Sequence, residues 1–218
     1  MSFNRSLVVL LSCLWLVLGC SQPDQPTINL HRAVKIGDID QLERNLIWDA
    51  DVSEPGPDGL TPLHVAAQKG SLVMSKILLK HGADLQALDP QGHTPVVKSL
   101  MSRNTLVADY LVKNGARIDA NSVLHETARL GSADRDVIDF LVKQGASIDH
   151  KDSTGNTPLH TAIQHDQRVV VKYLVIRGAN LNLVNAEGQT PLALTISLER
   201  SDIARMLRQF GAAESLQQ

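Results

Sequence analysis

The sequence predicts an all-α fold built by repetition, a solenoid of about six short units, and three observations carry that expectation. Gly-Ala dipeptides recur at Gly82-Ala83, Gly115-Ala116, Gly145-Ala146, Gly178-Ala179 and Gly211-Ala212, spaced by 33, 30, 33 and 33 residues. A second marker, Thr61-Pro62-Leu63-His64, returns as Thr94-Pro95-Val96-Val97, Ser122-Val123-Leu124-His125, Thr157-Pro158-Leu159-His160 and Thr190-Pro191-Leu192-Ala193, and Leu30-His31 lies 33 residues before Leu63-His64. Hydrophobic residues make up 43% of the chain but aromatics only 3%, so the apolar content is Leu, Val, Ile and Ala, which pack helix on helix. A fixed period of this length means that each unit cannot bury its faces alone and folds only in a stack.

Segment 1–19 stands apart. One charge, Arg5, precedes the apolar run Leu7 to Leu18, broken only by Ser12. That run spans 12 residues, whereas a bilayer span takes about 20, so it reads as the core of a secretory signal. Val17-Leu18-Gly19-Cys20 follows and resembles the lipobox of bacterial lipoproteins. The resemblance implies cleavage before Cys20 and diacylation of its thiol. With Ser21 rather than Asp after the cysteine, it also implies sorting to the outer membrane, facing the periplasm. Cys13 would leave with the signal, so the mature chain is expected to carry neither a free thiol nor a disulfide. Residues 20–27 are polar with two prolines and are expected to be a tether reaching up to about 20 Å at roughly 3 Å per residue. The repeat domain then occupies 28–218.

Within a unit the elements follow in order. Thr61 is placed to cap a helix, and Pro62 sits where a missing N–H costs nothing. That helix runs to about Lys69 and stops at Gly70. A second helix takes its apolar face from Leu72, Ile77, Leu78 and Leu79, and Gly82 supplies the left-handed residue that ends it. Asp84 to Asp89, then Gln91-Gly92, carries a turn signal and predicts a projecting hairpin finger. Ala66, Ala67, Ala128 and Ala162 lie on first helices, where small side chains let neighbouring helices approach.

A period of 33 with a Thr-Pro-Leu-His start and a Gly-Ala end resembles the ankyrin repeat, over about residues 28–214. The resemblance implies helix, helix and finger in each unit, and a role in binding proteins. Departures from the pattern mark irregular places. The first copy lacks Thr-Pro and carries Arg32, Lys35, Arg44 and Trp48, as expected of an end cap, and Arg205, Arg208 and Gln209 are expected to cover the other end. Between Gly115 and Ser122 the finger is five residues shorter than between Gly82 and Thr94. Two extra residues follow around Ser132 to Asp136, so the stack is expected to be disturbed there.

Chemistry-bearing residues form no catalytic pattern. His31, His64, His125 and His160 share one repeat position, which the resemblance makes structural, while His81, His93, His150 and His165 lack a partner at metal-ligand spacing. No metal, cofactor or small-molecule substrate is expected, and no activated nucleophile or phosphate-cradling loop is present. Lys and Arg number 21 against 23 Asp and Glu with alternating signs, so no basic footprint for nucleic acid appears. Function is expected from surface shape. Residues that differ between copies on finger tips and exposed first-helix faces are the candidates for partner contact: Pro90, Gln91 and His93; Met101 and Ser102; Arg129 and Leu130; Ser153, Thr154 and Asn156; Gln164 and His165; Ala186, Glu187 and Gln189. The leading expectation is a membrane-tethered adaptor or scaffold. Its alternatives are an immunity protein that blocks a toxic enzyme in the periplasm and, if the lipobox is false, a secreted effector.

Overall fold

The computed structural model describes residues 24–213, and among them every regular element is a helix. Segment 1–19, Cys20 and the tether up to Pro23 lie outside the described residues. The chain divides into two compact units, one ending at Asp51 and one beginning at Val52. In the first, α1 (Leu30–Ile36) and α2 (Ile39–Ile47) are capped by Asn29 and Asp38, whose side chains accept from the N–H groups of Arg32 and Gln41. Leu30, Ala33 and Val34 are buried on α1, as are Leu42 and Leu46 on α2. The last tether residue is tied down, since the Thr27 N–H donates to Gln41 Oε1 at 2.8 Å.

The second unit holds α3 (Pro62–Gln68), α4 (Leu72–Lys80), α5 (Pro95–Met101), α6 (Thr105–Lys113), α7 (Ala120–Leu130), α8 (Arg135–Lys143), α9 (Pro158–Gln164), α10 (Arg168–Ile176), α11 (Pro191–Ser197) and α12 (Ser201–Gln209). Odd-numbered helices pack on odd and even on even, which makes two rows. Leu63, Ala66, Ala67, Leu100, Leu124, Ala128, Leu159 and Ala162 are fully buried between neighbours of the first row. On α4 the buried face is rotated from the expected one: Met74, Ser75 and Leu78 are buried, whereas Leu72, Ile77 and Leu79 are half-buried. Ser75 fits the buried side because its hydroxyl donates to the Ser71 carbonyl at 2.8 Å.

Adjacent repeats are latched at the turn between the two rows. The Asn104 amide donates to the carbonyls of Ala67 and Gln68, and that of Gln167 to the carbonyl of Arg129. Each latch passes over a left-handed glycine, Gly70 or Gly131, where a Cβ would collide with the latching side chain. Arg103, Asp166 and Glu199 hold the same left-handed position in the other repeats without glycine.

The expected finger forms as a tight turn closed by two backbone bonds rather than as paired strands. The Asp89 N–H donates to the His93 carbonyl and the Gly92 N–H to that of Asp89, both at 2.9 Å. Gly56 to Leu60, Asp152 to Asn156 and Asn185 to Gln189 repeat this arrangement. Where the finger is short, the chain enters α7 directly. Asp119 is the cap, accepting from the Ser122 N–H, so Ser122 lies in the first turn of the helix rather than in the Thr61 role. As a result α7 has 11 residues where α3, α5, α9 and α11 have 7. The two extra residues that follow are absorbed into the core, with Ser132 and Ala133 buried. At the last repeat Ile196 is 53% exposed where earlier copies have buried Ala67, Leu100, Ala128 and Ile163. Arg205, Arg208 and Gln209 are themselves exposed and leave it uncovered, because no repeat follows among the described residues.

Candidate binding site at the missing finger

Three first-helix histidines tie each repeat to the finger that follows it. His64 Nε2 donates to the His93 carbonyl at 3.0 Å, which fixes the proton on that nitrogen because a carbonyl only accepts. Nδ1 then accepts from the Thr61 hydroxyl at 2.8 Å and from the Thr61 N–H at 3.3 Å. His160 repeats the arrangement with Thr157 and the Gln189 carbonyl. Burial pushes both rings below their ordinary pKa of 6.5, which favours the neutral form. His125 likewise reaches the His150 carbonyl at 3.0 Å, but its Nδ1 faces the Thr161 hydroxyl of the next repeat at 3.2 Å.

The exceptions to this rule share a cause. Val97 replaces the histidine in the third repeat, and the finger that would follow is the missing one. Ala193 replaces it in the last repeat, after which no finger comes among the described residues. A histidine is present in these repeats where a following carbonyl needs its donor. The cost falls on Thr94, whose hydroxyl is buried without a hydrogen-bond partner and leaves α5 without a side-chain cap.

The missing finger lays bare one stripe of α7. Ser122, His125, Glu126 and Arg129 follow one another at helical spacing and form one wall of a hollow of about 450 Å³. His150, Lys151, Asp152 and Ser153 of the next finger, with Thr161 of α9, form the other. In the second repeat the matching Thr61, His64 and Val65 are buried, whereas Ser122 is exposed and His125 and Glu126 are half-buried. The charges in the hollow are unequally satisfied. Arg129 grips Glu126 through Nε and Nη2, and Lys151 Nζ donates to the Val184 carbonyl at 2.6 Å. Asp152 Oδ1 accepts from the Thr154 N–H and hydroxyl and the Asn156 N–H. Burial pushes the Asp152 pKa up, but those bonds outweigh it and hold the carboxyl below its ordinary value. Its Oδ2 lies 3.8 Å from His125 Nδ1.

The structure sorts the sequence candidates. Arg129 and Ser153 line the hollow. Pro90, Gln91, Leu130, Thr154, Gln164, His165, Ala186 and Glu187 are exposed, and His93, Met101, Ser102 and Gln189 are half-buried. Asn156 departs from the expectation of a free finger-tip residue. It is buried, its amide donating to the Thr154 hydroxyl and its carbonyl oxygen accepting from Asn185 Nδ2, so it ties finger to finger. Glu126, His150, Lys151 and Asp152 were not legible as site residues, since only the packing of α7 against the next finger brings them together. The signal in the sequence was the shortened segment before Ser122. Among the described residues no three His, Cys, Asp or Glu side chains converge as metal ligands, and no helix is long and apolar enough to cross a membrane.

Paired helices, histidine-anchored fingers and a polar hollow define a repeat scaffold. The chain belongs to the ankyrin-repeat family: a family model of ankyrin repeats in three copies matches residues 30–122 and again 124–217. Ankyrin repeats are protein–protein interaction modules. No curated protein matches the chain. Among solved structures it is similar to the ankyrin repeat domain of human ASB11, 24% identical with a TM-score of 0.69 over 87% of this chain and 85% of that one. It is similar to the ankyrin repeat domain of Bcl-3, a member of the IkappaB protein family, at 25% identity and a TM-score of 0.67 over 90% of each chain. A chain in the complex of the predatory endopeptidase Bd0816 from Bdellovibrio bacteriovorus with immunity protein Bd3460 is similar at 24% identity and a TM-score of 0.66, over 86% of this chain and 99% of that one.

Proposed function

We propose that this protein is a lipid-anchored adaptor or scaffold of a bacterial envelope, held through Cys20 to the outer membrane and facing the periplasm. It captures a partner protein on the face formed by the fingers and first helices. The observation that carries the reading is the polar hollow on α7, a preformed recess in a family of interaction modules. The anchor rests on the apolar run Leu7 to Leu18 followed by Gly19-Cys20. The reading assigns no catalytic step: His64 and His160 spend both ring nitrogens on helix caps and finger carbonyls. Fractionation tests the anchor. Cys20→Ser is expected to leave uncleaved precursor or to release the protein from the membrane fraction, and native protein found wholly in the cytosol would contradict it.

A second reading, that the partner is a toxic enzyme which the chain blocks, is favoured by one observation. The similar chain of known structure described above occurs in a complex of an endopeptidase with an immunity protein. A gene for a periplasmic hydrolase beside this one, and inhibition of that hydrolase by the purified chain, would support it. Normal turnover at saturating chain would exclude it.

A further inference from the structure

Two fingers of this chain carry a carboxylate at the same repeat position, and only one of them has an ammonium on it. In the finger of the second repeat Asp89 Oδ2 pairs with Lys98 Nζ at 2.6 Å, the carboxylate fully buried and the lysine projecting from α5 of the third repeat just beyond the finger. In the finger of the fourth repeat Asp152 stands where Asp89 does, with the same bonds from its own finger to Oδ1. The residue at the Lys98 position is Thr161, whose hydroxyl meets His125. Among the described residues Asp152 Oδ2 has no lysine or arginine nitrogen within ion-pairing distance, only His125 Nδ1 at 3.8 Å, and burial lowers that ring's pKa, which disfavours its charged form. The next junction avoids the problem by placing Asn185 in the fifth repeat's finger and Leu194 on the sixth repeat's first helix at these two positions. Thr161 and Asp152 both line the hollow, and the cations beside them are directed elsewhere, Arg129 to Glu126 and Lys151 to the Val184 carbonyl.

We propose that the hollow seats a basic side chain of the partner protein, a lysine ammonium or arginine guanidinium that sits on Asp152 Oδ2 as Lys98 Nζ sits on Asp89 Oδ2. This rests on the reading of the face as a protein-binding one and adds the chemistry of its anchor. A carboxylate held at the wall of a recess gains more from a cation than one on open surface, because solvent screens the pair less. The hollow is large enough for the end of a long side chain. The missing finger is what gives that side chain access.

The test uses a fluorescent hexalysine peptide and the full-length chain in a nonionic detergent at low salt. Asp152→Asn and Thr161→Lys are compared with wild type and with Asp136→Asn, which removes an exposed carboxylate from α8, away from the hollow. Asp152→Asn keeps the finger, since Asn185 makes the same backbone bonds in the fifth repeat's finger. Thr161→Lys supplies the cation from within, as Lys98 does. Both are expected to weaken hexalysine binding by about three- to fivefold, the worth of one partly exposed ion pair, while Asp136→Asn leaves it unchanged. Equal binding by all four proteins, no binding by wild type, or preference for hexaglutamate would each overturn the proposal. Partner capture by Leu130→Glu separates this outcome from the broader reading. If that variant loses the partner while hexalysine binding ignores Asp152, the face stands and the basic anchor falls.

Discussion

At the scale of single residues, stability turns on neutral histidines. His64 and His160 each bridge a threonine cap and the carbonyl of the next finger; Nε2–H donates to the carbonyl, and the contact with the threonine needs an unprotonated Nδ1. Their folded pKa lies below 6.5, so at mildly acid pH the unfolded chain binds more protons than the folded one. Their contribution is therefore complete above about pH 6.5 and is lost as the pH falls through the depressed folded values. The urea midpoint is expected to drop between pH 7 and pH 5, and His160→Gln should flatten that slope while lowering stability at pH 7. An unchanged slope in the variant would remove His160 from the account. The replacement also leaves the buried Thr157 cap short of its partner, a loss of about 1–3 kcal/mol. Sequence pattern placed His31, His64, His125 and His160 at one repeat position. It did not show that His125 has a different Nδ1 partner, because Thr161 comes from the following repeat.

At the scale of elements, the repeat boundaries were legible because proline, threonine and glycine act locally. Pro62, Pro95, Pro158 and Pro191 begin helices in the structure as their sequence position predicts. The start of α7 was not legible, since Asp119 took the cap once no finger stood between it and the preceding Gly-Ala. The third repeat is the poorest element by this accounting. Neither α5 nor α6 has a side-chain cap, the Thr94 hydroxyl is unpartnered, and α5 meets α7 over the smallest contact of the first row. In a linear array one weak interface lets neighbouring segments open separately. Amide hydrogen exchange is expected to show lower protection over residues 96–121 than over 157–174. Equal protection of the two segments would mean that the Asn104 latch and the buried Asp89–Lys98 pair compensate fully.

At the scale of the whole molecule, the proposed function assigns folding and recognition to different positions of the same repeat. Leu159 and its counterparts are sealed between helices, whereas Leu130 is 41% exposed and Asp152 sits in the wall of the hollow. Shape was legible in the sequence as periodicity. The recess came from an interruption of that periodicity, and its charge imbalance came from side chains of two elements that only packing brings together. Partner binding should therefore be separable from stability. The most direct measurement pairs thermal melting by circular dichroism with capture of envelope proteins by three variants of the full chain. Leu159→Ala is expected to cost about 2–5 kcal/mol and to weaken capture only as its repeat unfolds. Leu130→Glu and Asp152→Asn are expected to melt with the wild type, yet Leu130→Glu to lose and Asp152→Asn to weaken capture of the specific partner that wild type retains, since each alters a surface the partner must desolvate. Retention of that partner by both surface variants, at unchanged melting temperature, would contradict the claim that this face binds it.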